Sequence, residues 1–137
     1  MRTGWVALST VLLLAGLVMA SLGGQAGARS GPAAAITGDW WRSDGALRIN
    51  VAPCGDRLCA VNTWTRDTGG SHAVGDRLVM TVQPREPETL AGEAFDERRG
   101  MTYSLLISIG RDAMTTRGCL LAGVVCRTMS WTRPPKA

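Results

Sequence analysis

Met114-Thr-Thr-Arg-Gly-Cys-Leu-Leu-Ala-Gly-Val-Val-Cys-Arg-Thr-Met-Ser-Trp-Thr-Arg133 reads as a β-hairpin. Each half is rich in β-branched, aromatic and polar residues, and Ala122-Gly123 marks the tip between them. Folding about that tip sets Cys119 opposite Cys126 and Met114 opposite Trp131. A two-stranded ribbon alone is marginal in water. The remaining chain therefore has to supply a sheet that closes onto it.

Moving towards the N-terminus, the period of two continues, with turn signals at short intervals. The spacing predicts eight strands: Gly38–Arg42, Ala46–Ala52, Cys59–Arg66, Asp76–Gln83, Thr89–Phe95, Met101–Ile109, Ala113–Cys119 and Val124–Arg133. Ser43-Asp44-Gly45, Cys54-Gly55-Asp56-Arg57, Thr68-Gly69-Gly70, Pro84 to Pro87, Asp96 to Gly100 and Gly110-Arg111-Asp112 supply the other turns. Leu47, Ile49 and Val51 alternate with Arg48 and Asn50. Leu78, Met80 and Val82 do the same, as do Met101, Tyr103, Leu105, Ile107 and Ile109. One apolar face per strand is what an antiparallel sheet curled round one core requires. With eight short-linked strands the sheet closes and loses its edges. The fold expected is all-β, an eight-stranded antiparallel up-and-down barrel over 38–133, with a short tail at 134–137.

The residues before the barrel have a different character. Met1-Arg2 is a basic start, Trp5 to Ala20 is an apolar run, and small residues such as Ala26-Gly27-Ala28 follow. That order is a cleavable secretory leader, read as a signal peptide over 1–28. Residues 29–37 then read as a Gly/Ala/Pro linker without order. Export makes disulfides the default for the four cysteines, and places the protein in the periplasm or outside the cell. Placing Val51 against Asn62 and Ile49 against Trp64 brings Cys54 opposite Cys59. The pairs are then Cys54–Cys59 and Cys119–Cys126, each a local staple across a hairpin neck. Fifteen Lys and Arg against eleven Asp and Glu give a net charge of +4. These charges are interleaved along the chain, as on a solvated surface, and no basic stripe with aromatics marks a nucleic-acid partner. The reading is of a monomer with no membrane span once the leader is cut.

Several motifs together resemble the bacterial DUF2147 family. They are Gly38-Asp-Trp-Trp-Arg-Ser-Asp-Gly45, Ala52-Pro-Cys-Gly-Asp-Arg-Leu-Cys59 and Trp64 near the start. Phe95-Asp-Glu-Arg-Arg-Gly-Met-Thr-Tyr103 stands in the middle, with Arg117-Gly-Cys119 and Cys126-Arg-Thr-Met-Ser-Trp-Thr-Arg133 at the end. The resemblance implies a small exported domain of lipocalin-like topology without an assigned role. The polar insertion that many members carry after the Trp64 strand is reduced here to Thr68–Gly75. A wider similarity is to the calycins, which stack an arginine of the last strand on the tryptophan of a Gly-x-Trp in the first. It implies Arg133 over Trp40; Trp131, opposite Met114 in the hairpin, reads as a further structural aromatic.

For chemistry the residues offer little. His72 is the only histidine, and it reads as an exposed residue of a Gly-rich loop rather than a catalytic base. With the cysteines bridged, no zinc set is left, and no cofactor is expected. Glu86, Glu88, Glu93, Asp96 and Glu97 read as turn and surface charges. The protein is therefore not expected to be an enzyme. Binding has more support: Asn62, Tyr103, Thr116 and Arg127 interrupt an inward set that includes Trp64, Met80 and Met129. An apolar concavity with a few polar anchors suits a small apolar or amphiphilic ligand. The alternative is a barrel filled by its own side chains that engages an envelope protein through its loops.

Overall fold

The computed structural model describes residues 31–136, so the signal peptide expected over 1–28 lies outside the described residues. A short helix α1 (Pro32–Ala35) precedes eight strands. They are β1 (Gly38–Arg42), β2 (Leu47–Cys54), β3 (Arg57–Thr65), β4 (Arg77–Glu86), β5 (Thr89–Asp96), β6 (Met101–Ile109), β7 (Ala113–Leu120) and β8 (Val125–Thr132). Each strand pairs antiparallel with the next, and β1 pairs with β8, closing the barrel. Within the β7–β8 hairpin Cys119 opposes Cys126 and Met114 opposes Trp131, as the sequence implied. Both expected disulfides are formed.

The β2–β3 hairpin departs from the expected register. A two-residue turn at Gly55-Asp56, with Gly55 at φ 67°, sets Cys54 opposite Arg57 and Ala52 opposite Cys59. Cys54 and Cys59 thus bridge diagonally. A slip of two residues preserves the faces, because side chains alternate with a period of two. A bulge then breaks that alternation, since Ile49 opposes Asn62 whereas Arg48 opposes Trp64. Thr63 is the extra residue. The bulge turns Trp64 outwards, leaving it 37% exposed, and turns Thr65 inwards, where it is buried. β4 also runs further than expected, through Pro84, which opposes Leu90. Its pairing with β3 ends at Met80, so the missing N–H of Pro84 costs no ladder bond on that side.

Antiparallel neighbours sort the connections into two ends. The base carries the turns at 55–56, 87–88 and 110–112, and the mouth carries 43–46, 66–76, 97–100 and 121–124. The base is shut by residues 32–37, ordered where a linker without order was expected. α1 packs against β4 and β5, and Ile36 just after it is fully buried. Trp40, also fully buried, donates its indole N–H to the Ile36 carbonyl at 2.8 Å. The Arg133 guanidinium lies 3.8 Å from the Trp40 ring centroid. It donates to the carbonyls of Ala35 at 2.7 Å and Thr37 at 2.8 Å, and more weakly to Asp39 at 3.3 Å. The Gly-x-Trp pattern has a steric reason. Gly38 sits at φ 103°, and a Cβ there would lie 2.9 Å from Arg133 Nη1. Residues 35–37 are therefore ordered, held to the barrel base by hydrogen bonds from Trp40 and Arg133. Among the described residues no helix is long and apolar enough to cross a membrane.

Candidate functional site

Inside the barrel, small residues stand at inward positions where large ones would meet. Ala60, Ala94 and Gly118 leave a cavity of about 500 Å³. A Cβ added at Gly118 would find nothing nearer than the Tyr103 Cβ, at 3.9 Å. Ile49, Val51, Leu105, Ile107 and Met114 form the apolar wall, and Ile36 contributes from the base. Met80 and Met129 add flexible, polarisable surface that adapts to the shape of a guest.

Of the expected ligand-binding residues, Asn62, Met80, Tyr103, Thr116, Arg127 and Met129 line the cavity, and Trp131, expected in a structural role, lines it as well. Trp64 does not. The bulge puts it on the outer face, where Arg48 stacks 4.9 Å from it and 4.2 Å from Trp41. Asn62 donates to the Ala73 carbonyl at 3.2 Å, which ties the β3–β4 loop to the wall. Thr116 accepts the Trp131 indole N–H at 3.0 Å. These bonds hold the two polar side chains in fixed positions against the apolar surface.

The mouth is more charged than the sequence reading anticipated. Asp96, expected on the surface, is buried and lines the cavity, paired with Arg99 at 2.6 Å. Its inward parity with Leu90 and Ala94 was a signal already present in the strand. Asp76 pairs with Arg98 at 2.9 Å and Arg77 with Glu97 at 2.7 Å. Arg98 and Arg99 also donate to the Ser71 carbonyl, at 3.3 and 2.6 Å, so the Gly-rich loop is braced from two sides. His72 is accordingly half-buried at the mouth rather than exposed, a placement no local pattern announces. Burial lowers its proton affinity, helped by the nearby Arg42, Arg99 and Arg127. Across the mouth, the hydrogen bond from Arg42 and the Ala46 N–H bring the Asp44 carboxyl down to about 2.

A second cavity of about 480 Å³ adjoins the first beside the 43–46 turn. It is bordered by Arg42, Asp44, Thr65, Asp67 and Ser130, and shares Ser71, His72, Arg127 and Met129 with the lumen. Among the described residues no three His, Cys, Asp or Glu side chains gather as a metal-binding group.

A family of bacterial proteins described only as uncharacterized and conserved, DUF2147, matches residues 38–133, the whole barrel with its Arg133 clasp. The chain belongs to the DUF2147 family. No curated protein matches it in sequence. Among solved structures it is similar to a redesigned β-barrel at 14% identity and a TM-score of 0.50, covering 76% of this chain and 96% of that one. That likeness concerns the fold alone. For this DUF2147 protein, the features that bear on function are therefore the lumen and its mouth.

Proposed function

We propose that the protein is an exported carrier or sensor that holds a small apolar or amphiphilic ligand in its barrel and performs no chemistry on it. The observation that carries this reading is the lumen of about 500 Å³, apolar in its wall and shut at the base by Ile36. Its size falls within the usual range for small-molecule sites. Two disulfides support an oxidising compartment, periplasmic or extracellular. The stacking of Arg133 on Trp40 supports a lipocalin-like relationship. At the mouth, Asp44, Asp76 and Asp96 are each held in an arginine ion pair, which favours a structural role over acid–base work.

Titration with the neutral fluorescent probe N-phenyl-1-naphthylamine tests the reading. We expect saturable binding by the wild type and a loss of about tenfold or more in affinity for Gly118→Leu, whose Cβ meets only the Tyr103 Cβ and whose side chain takes up part of the lumen. No binding by the wild type, or equal binding by the filled variant, would overturn it.

One observation favours the loop-mediated alternative. The disulfide-stapled β7–β8 tip exposes Leu121 at 73% and Val124 at 80%. Leu121 and Ala122 also adopt positive φ, 52° and 56°, a conformation that residues other than glycine seldom take. If the tip engages an envelope protein, Leu121→Ser with Val124→Ser removes that partner in native mass spectrometry while probe binding stays unchanged. A partner retained by the double variant rejects this alternative.

A further inference from the structure

Two cavities of opposite character share the wall formed by Ser71, His72, Arg127 and Met129, and this junction points to the kind of molecule that spans them. The lumen is walled mainly by aliphatic residues and methionine, whereas the adjoining vestibule is bordered by Arg42, Asp44, Asp67 and Ser130. Arg127 borders both. Its cross-strand neighbour is Gly118, so no side chain occupies the inward position beside it. The other arginines named at the mouth are engaged: Arg42 with Asp44, Arg77 with Glu97, Arg98 with Asp76 and Arg99 with Asp96. Arg127 has no ion-pair or hydrogen-bond partner among the described residues.

We infer that the occupant is a single-chain amphiphile with an anionic head, its tail in the lumen and its carboxylate or phosphate on Arg127. A guanidinium fork matches either head in a bidentate geometry that an ammonium does not reproduce. Being unpaired, Arg127 has no carboxylate to surrender before it takes the head. The vestibule's own acids do not compete for it: Asp44 is held by Arg42 at 2.8 Å, and Asp67 accepts the Gly69 N–H at 3.2 Å. His72, on the shared wall, lies in the field of Arg42, Arg99 and Arg127, opposed by Asp76. Tyr103, whose Cβ lies nearest to the vacant Gly118 position, flanks the same space.

This inference rests on the carrier reading and deepens it. Its test is calorimetric titration of the disulfide-bonded protein with dodecanoate, dodecyl phosphate and dodecanol, all below their micellar range. We expect at least one anion to bind about tenfold or more tightly than the alcohol, the gain typical of a charge-assisted hydrogen bond. The tighter anion identifies the head. Arg127→Met should bring both anions to the level at which the same variant binds dodecanol, and Arg127→Lys should restore only part of the gap. Because Arg127 is exposed, its replacement should not move the urea midpoint, which checks that the variants are folded. Equal affinity for the alcohol and both anions, or a gap that survives Arg127→Met, would overturn the anionic head and leave the lumen reading intact. If all three molecules fail to bind, the carrier reading and this inference fall together.

Discussion

Two stacked arginines in this barrel show how setting determines what a guanidinium contributes. Arg48 lies on the outer face against Trp41 and Trp64, in solvent, where such stacking is worth about 0.5–1 kcal/mol. Arg133 faces a fully buried ring and three backbone carbonyls, and it joins the last strand to the linker that shuts the base. Arg133→Ala should therefore destabilise the domain by at least about 1 kcal/mol, with the carbonyls of Ala35 and Thr37 losing their donor as well. Arg133→Lys should recover only part of the loss, since lysine keeps the charge without the planar stack. Urea melts read the outcome directly. A wild-type midpoint for Arg133→Ala would mean that the clasp adds nothing to closure.

At the level of elements, β4 and β5 approach closely at a position where a side chain is missing. Gly92 sits mid-strand in β5, opposite Val82, and a Cβ there would run into the Thr81 carbonyl oxygen and crowd the Val82 Cα. The obstacle is backbone, so it cannot swing aside. Gly92→Ala should cost about 1–3 kcal/mol by overpacking, whereas Ala is easily accommodated at Gly118, where only Tyr103 is in contact. Paired thermal melts of the two variants check the contrast, and equal shifts would contradict it. The strands themselves were legible from sequence, because alternation in β2, β4 and β6 shows directly which face is dry. The β3 bulge was not. A single extra residue at Thr63 leaves no compositional trace, yet it reverses every face beyond it and moves Trp64 out of the lumen. The order of residues 32–37 was hidden for a related reason. Ala and Pro carry no pattern, and what fixes them is a carbonyl taken by Trp40 and others taken by Arg133, contacts nearly a hundred residues away in sequence for the latter.

For the molecule as a whole, the lining of the lumen was readable along strands of unbroken alternation, as at Tyr103, Thr116 and Met129, but not at Trp64 or Asp96. The mouth was not, because its loop is held by long-range bonds from Arg98 and Arg99 that local pattern does not encode. The lumen also has a mechanical consequence. An apolar cavity is poorly wetted, so the folded barrel occupies more volume than its unfolded chain packed among water. Hydrostatic pressure then acts as a denaturant, followed through the summed indole emission, to which the buried Trp40 and Trp131 contribute. Gly118→Leu, and any molecule that fills the cavity, should raise the midpoint pressure and shrink the volume change of unfolding. An unaltered midpoint in the filled variant would mean that water already occupies that space at its bulk density. Otherwise the barrel is compressible in proportion to its emptiness, and squeezing it measures how much room is left for a guest.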